Sequence, residues 1–143
     1  MSQSAEFFMQ QALLQAELAF SAGEVPVGAV VVCKGEIIGR GYNQPISLKD
    51  PTAHAEVMAL RDAALNMQNY RLPDCELYVT VEPCTMCAGA LIHSRIQKVI
   101  FGTTEPKAGV AVSQAQLFAA PFVNHQVQIV GGAGTGKTFI GIK

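Results

Sequence analysis

From Phe7 to Phe20 apolar residues recur at helical spacing with no Gly or Pro among them, which predicts an opening helix ended by Gly23. The pattern then changes. Val27 to Val32 is an unbroken, Val-rich apolar run that reads as a buried strand, and Lys34-Gly35-Glu36 turns it into a second strand from Ile37 to Tyr42. Gly39 and Gly41 weaken that second strand and leave room for a close backbone approach. Asn43 to Asp50 reads as a polar connection. A helix follows from the His54 region to about Asn66, with Val57, Met58, Leu60, Ala64 and Leu65 as its apolar set. Leu77 to Val81 is a third strand, which Glu82-Pro83 breaks, and a cysteine-bearing helix runs on through Ile92. Lys98 to Phe101 and Gln126 to Val130 complete the strands, with a short helix predicted over Ser113 to Ala119. Strands separated by helical crossovers predict an α/β fold whose sheet is at least partly parallel and covered on both faces.

A chain of 143 residues is one domain with length enough for a hydrophobic core. Half of it is apolar and only 15% is charged, a balance that excludes disorder. No apolar run reaches membrane-spanning length, and the first residues lack a basic segment followed by an apolar leader. The expected location is therefore cytoplasmic, with no membrane partner. The formal net charge of −1 gives no whole-chain footprint for a polynucleotide, and no DNA partner is expected. Of the four cysteines, Cys33 and Cys75 read as reduced thiols rather than parts of a disulfide framework.

The remaining two change the picture. Cys84 and Cys87 stand in a C-x-x-C turn that aims both sulfurs at one point, and His54 supplies a nitrogen ligand from another helix start. Zinc takes four tetrahedral ligands of these kinds, and three from protein leave one position open, the arrangement of a catalytic zinc. Zinc in such a site lowers the pKa of a bound water towards neutrality. Glu56 is the natural proton shuttle. On a regular helix residues i and i+2 point about 200° apart. His54 and Glu56 therefore converge only if His54 sits at the very start of its helix. Asp50-Pro51-Thr52 supports a helix entry close by. Both ligand segments then lie at helix N-termini, where the dipole favours the thiolates. A C-x-x-C alone also fits a redox pair or a structural zinc knuckle, and His-x-Glu alone is usually a surface pair.

Together, H-x-E…P-C-x-x-C is the known signature of zinc nucleobase deaminases. The flanking blocks Gly23-Glu24-Val25-Pro26-Val27-Gly28-Ala29-Val30, Met67-Gln68-Asn69-Tyr70-Arg71-Leu72 and Leu77 through Ile96 narrow it further. With them the chain resembles the bacterial tRNA-specific adenosine deaminases of the cytidine-deaminase-like superfamily, up to about Gly132. The resemblance implies a three-layer α/β/α fold with a five-stranded mixed sheet, one Zn2+ per chain, and a homodimer. It implies conversion of adenosine to inosine at the wobble position of a tRNA anticodon loop. His54, Cys84 and Cys87 match the family's zinc ligands and Glu56 its proton shuttle. Asn43 matches a residue that contacts the flipped base, with Val27 and the Ala55 backbone lining the pocket. Tyr70 and Arg71 match a segment near the dimer contact and the RNA. Taken without the resemblance, Asn43 is a turn former before Pro45, and Tyr70 and Arg71 lie in a solvated loop. His93 and Arg95 read as caps on the end of the cysteine helix.

Two departures stand out. Glu105 occupies a position where the family usually carries Asp, in a loop that faces the nucleic acid. Residues 1–130 read as the deaminase domain, whereas 131–143 form an atypical Gly-rich tail, expected to be flexible, where the family has a further helix and basic residues. A weaker grip on RNA is the expectation. Gly131 to Thr138 matches G-x-x-x-x-G-K-[ST], the phosphate-cradling loop of P-loop nucleotide hydrolases. The few residues after it leave no room for the rest of such a site. The competing functions are a small-molecule deaminase of guanine or cytidine type, a zinc-binding scaffold, and a nucleotide-binding module built on that tail.

Overall fold

The computed structural model describes residues 3–131. Its elements run α1 (Ala5–Ser21), β1 (Gly28–Cys33), β2 (Glu36–Tyr42), α2 (Pro45–Leu48), α3 (Ala55–Met67), β3 (Cys75–Val81), α4 (Thr85–His93), β4 (Lys98–Thr103) and β5 (Gln128–Gly131). The strands form one mixed sheet in the order β2-β1-β3-β4-β5. β1 pairs antiparallel with both β2 and β3, while β3–β4 and β4–β5 are parallel. The three-layer α/β/α architecture follows from how each strand divides its side chains.

Ala29, Val31, Cys75, Leu77, Val79, Val99 and Phe101 face one way and pack against Ala55, Ala59, Leu60 and Ala63 of α3 and Ala88 and Leu91 of α4. Val30, Val32, Tyr78 and Ile100 alternate to the other face and meet Phe8, Met9 and Ala12 of α1. The period-two alternation of a strand is thus filled from both sides. β1 has no exposed residue, which explains why it reads as a continuous apolar run. Its turn into β2 consists of Lys34 and Gly35 at φ 52° and 81°, the paired positive φ of a two-residue hairpin turn.

Helix α3 lies directly on β2. A Cβ at Gly41 would fall 2.4 Å from the Ala59 nitrogen, and one at Gly39 2.5 Å from the Ala59 oxygen, so the close approach expected at these glycines is present. Because those contacts are backbone, neither can give way without moving the helix. Gly41→Ala is expected to cost about 1–3 kcal/mol, read as a lower denaturant midpoint. An unchanged midpoint would show that α3 is not seated by this contact.

Two local expectations are corrected. The polar connection after β2 contains a single helical turn, α2, because the Glu24 carboxylate accepts hydrogen bonds from Ile46 N at 3.2 Å, Ser47 N at 2.7 Å and Ser47 Oγ at 2.7 Å. The helix expected over Ser113 to Ala119 shrinks to one 3-10 turn, Leu117–Ala119. The Ser113 amide and hydroxyl are instead taken by Glu82, 31 residues earlier in the chain.

Cys33 and Cys75 are both free and buried, directly opposite each other across β1 and β3. Burial, followed by the neighbouring Cys33, pushes the Cys75 thiol up to about 12. No helix among the described residues is long and apolar enough to cross a membrane. The P-loop-like stretch and the tail after Gly131 lie outside the described residues.

Candidate active site

Strand β3 ends where the chemistry begins. Glu82-Pro83 carries the chain off the sheet, and Cys84 becomes the N-cap of α4 with extended backbone, φ −85° and ψ 178°. One helical turn brings Cys87 alongside it. His54 is likewise the N-cap of α3, at φ −75° and ψ 156°. That extended residue breaks the helical phase, so the imidazole and the Glu56 carboxylate turn to the same side, as the spacing argument requires. Asp50-Pro51-Thr52 forms a side-chain turn rather than the helix entry itself. Asp50 Oδ1 accepts from Thr52 N at 2.9 Å and Thr52 Oγ1 at 2.8 Å, and the helix starts at Ala55.

The Cys84 and Cys87 sulfurs each lie 3.6 Å from His54 Nδ1. Zn–S bonds of about 2.3 Å and Zn–N bonds of about 2.0 Å at a tetrahedral angle place S and N roughly 3.6 Å apart. The donor set therefore fits zinc in both chemistry and spacing. Among the described residues it is the cluster able to hold a metal, its three ligand atoms all within 4.8 Å of one another. The hydrogen bond from Cys87 lowers the Cys84 thiol to about 5, and the same bond, with burial, pushes Cys87 up.

Glu56 sits behind these donors, 4% exposed, and burial raises its carboxyl to about 7, against its own backbone hydrogen bond and His54, which act downward. A carboxyl poised near neutrality suits a group that must both take and return a proton.

Of the other residues singled out in the sequence, Asn43 is buried and its Oδ1 accepts a 2.8 Å hydrogen bond from Ala55 N. It thereby satisfies one of the unpaired amides at the start of α3. Asn43 N donates to Val27 O at 3.1 Å, so Val27, Asn43 and Ala55 form one connected wall. Glu105 is half-buried, and its Oε1 accepts from Lys107 N at 2.8 Å. Tyr70 and Arg71 are both exposed, in the stretch between α3 and β3. The Arg71 guanidinium rests 5.6 Å from the Tyr70 ring centre, and Arg71 Nε donates to the Tyr70 hydroxyl at 3.2 Å. Arg95 caps α4 as expected, Nη1 donating to Ile92 O at 3.0 Å.

Glu82 has a larger part than that of a strand breaker. It is 3% exposed, and its carboxylate accepts bonds from Glu105 N at 3.0 Å, Ala111 N at 3.0 Å, Val112 N at 2.8 Å and Ser113 N at 2.9 Å, as well as from Ser113 Oγ. Burial opposes its ionisation, but those donors outweigh burial and hold the carboxyl below its usual range. The available sequence signal was an acid at the end of a buried strand, where it has to find partners.

Residues 2–103 match the family model for the cytidine and deoxycytidylate deaminase zinc-binding region. The tRNA-specific adenosine deaminase of Aquifex aeolicus is 49% identical over 123 residues, which make up 86% of this chain and 82% of that protein. A solved structure from work on A-to-I editing by tRNA:A34 deaminases at the wobble position aligns with a TM-score of 0.87 and 39% identity, covering 92% of this chain and 96% of its own. The guanine deaminase of Bacillus subtilis is similar at 40% identity, but with a TM-score of 0.68 over 71% of this chain and 66% of its own. The guanine enzyme's likeness thus leaves out parts of both chains that the tRNA enzymes' likeness includes. The chain belongs to the tRNA-specific adenosine deaminases, within the cytidine and deoxycytidylate deaminase zinc-binding family.

Proposed function

We propose that this protein converts the wobble adenosine of a tRNA anticodon to inosine, adding water at C6 of the base and releasing ammonia. The observation that carries the reaction type is the buried Glu56 carboxylate beside three donors spaced for zinc. The RNA substrate rests on the near-complete likeness to the tRNA enzymes. Zinc held by His54, Cys84 and Cys87 supplies Lewis acidity that makes water a nucleophile near neutral pH. Glu56 takes the proton that the attacking water sheds. It delivers that proton to ring N1, then takes the remaining proton from the oxygen now bonded to C6 and passes it to the departing amine. C6=O thus forms as the C–N bond breaks, and both protons of the water are accounted for. The adenine has to leave its stack to reach the site, which costs little in an anticodon loop.

Val27, Asn43 and the Ala55 backbone form the wall against which the base lies. With its Oδ1 committed to Ala55 N, Asn43 offers Nδ2 to the substrate. Asn43→Asp keeps the acceptor for α3 and removes that donor, so it is expected to retain the melting temperature and lose kcat/KM. Asn43→Ala is expected to lose both, with about 1 kcal/mol of stability. Equal activity in the Asp variant would assign Asn43 to the fold alone.

We infer that the homodimer forms through the outer face of α3 and the loop after it. There Leu65 and Tyr70 are 75% and 71% exposed, beside a cleft of ≈ 780 Å³ lined by Arg61, Ala64 and Gln68. Sedimentation equilibrium should return twice the chain mass. A monomer at micromolar concentration would reject the dimer. A cytoplasmic location accords with a tRNA substrate. The decisive assay is inosine formation in a zinc-loaded sample given an anticodon stem-loop with adenosine at the wobble position. Deamination of free guanine or cytidine instead would favour the small-molecule alternative.

A further inference from the structure

In open α/β sheets, ligands gather at the carboxyl ends of the parallel strands. Here β3 and β4 are parallel neighbours, with Val81 paired to Thr103. From that shared edge β3 leads into Glu82, Pro83 and the metal ligand Cys84, and β4 leads into residues 104–113. The segment 104–113 has no helix or strand of its own. Beside its own turn bonds, it is tied to the sheet through one carboxylate. Four backbone amides and one hydroxyl converge on Glu82, and Glu82 N in turn donates to Thr103 O at 2.9 Å. Val110 N adds a bond to Pro83 O at 3.0 Å, one residue from Cys84. Gly109 is pressed so close that a Cβ there would lie 2.3 Å from the Glu82 Cδ.

We propose that Glu82 is a positioning residue that fixes the 105–113 segment against the cysteine turn, so that single-stranded RNA meets a preformed wall beside the zinc site. The RNA part of this inference rests on the tRNA reading above. Glu82 touches neither the metal nor the reacting base. It acts through the backbone it holds, and the bonds are directional enough that a neutral amide cannot replace them. A Gln side chain offers one acceptor oxygen, and its NH2 group would face amides that have nothing to accept with.

The test uses the full zinc-loaded chain as wild type, Glu82→Gln and Gly109→Ala. The second variant disturbs the same contact without changing the carboxylate. Both are expected to keep one zinc per chain and a near-normal kcat on the anticodon stem-loop, while KM rises about tenfold. Backbone amide exchange should accelerate at Glu105 and at Ala111, Val112 and Ser113. Unchanged exchange in both variants would overturn the anchor, as would loss of zinc in both, since Glu82 would then serve the metal turn alone. Faster exchange with unchanged KM would overturn its role towards RNA. A wild type that makes no inosine would instead sink the tRNA reading, and amide exchange would still decide whether Glu82 holds the segment.

Discussion

Glu56→Gln is expected to lower inosine formation by about 10²–10⁴-fold, the usual worth of a positioned general acid–base, while leaving one zinc per chain. The substitution keeps the shape of a side chain that is 4% exposed, so any loss reports its proton chemistry rather than its packing. Activity near that of the wild type would remove Glu56 from the mechanism. The same variant gives a second, activity-independent readout. In zinc-free protein burial holds the folded carboxyl at about 7, against 4.5 for the free group. Between those two values the folded chain keeps a proton that the unfolded chain has released. Stability is therefore lost as pH rises through this window, and the full penalty, on the order of 3 kcal/mol, is present above it. Zinc-free Glu56→Gln should thus be the more stable protein at pH 8, with the two melting curves converging near pH 4. A difference that does not change with pH would contradict the raised carboxyl.

Removing zinc is expected to have the other large effect. A folded chain presents three donors already spaced for the ion, and an unfolded chain does not. Zinc at a thousandfold excess over its Kd therefore adds about 4 kcal/mol. For a domain of this size that corresponds to a fall in Tm on the order of 10 °C when a chelator takes the ion away. Cys87→Ala should show no chelator response and no inosine. Binding also has to expel the proton that Cys87 holds through its bond with Cys84 and through burial. Apparent zinc affinity should consequently rise with pH near neutrality, by up to about tenfold per unit for one released proton. Calorimetric titrations in buffers of different ionisation enthalpy count that proton directly. A chelator shift of equal size in Cys87→Ala would place the metal elsewhere.

The elements that could be read along the chain are those whose signal is local. The helical spacing of α1, the all-apolar β1, the Lys34-Gly35 turn and the two N-cap ligands each depend on residues within one or two turns of one another. Zinc chemistry has the same character, because a C-x-x-C turn fixes two donors by itself and a His-x-Glu pair works only at a helix start. For that reason His54, Glu56, Cys84 and Cys87 stand out as candidates along the chain, and the fold brings the His54, Cys84 and Cys87 donor atoms together. The strand order β2-β1-β3-β4-β5, the seating of α3 on Gly39 and Gly41, and the engagement of Asn43 with Ala55 were settled only in three dimensions. So were the single turn α2 and the loss of the helix after Ser113. Each of these depends on a buried polar side chain or a bare backbone finding partners 12 to 50 residues away. Propensity and periodicity describe what a segment does alone. A buried Glu24 or Glu82 has to be satisfied by whatever backbone packing brings to it, and no local pattern records which backbone that is.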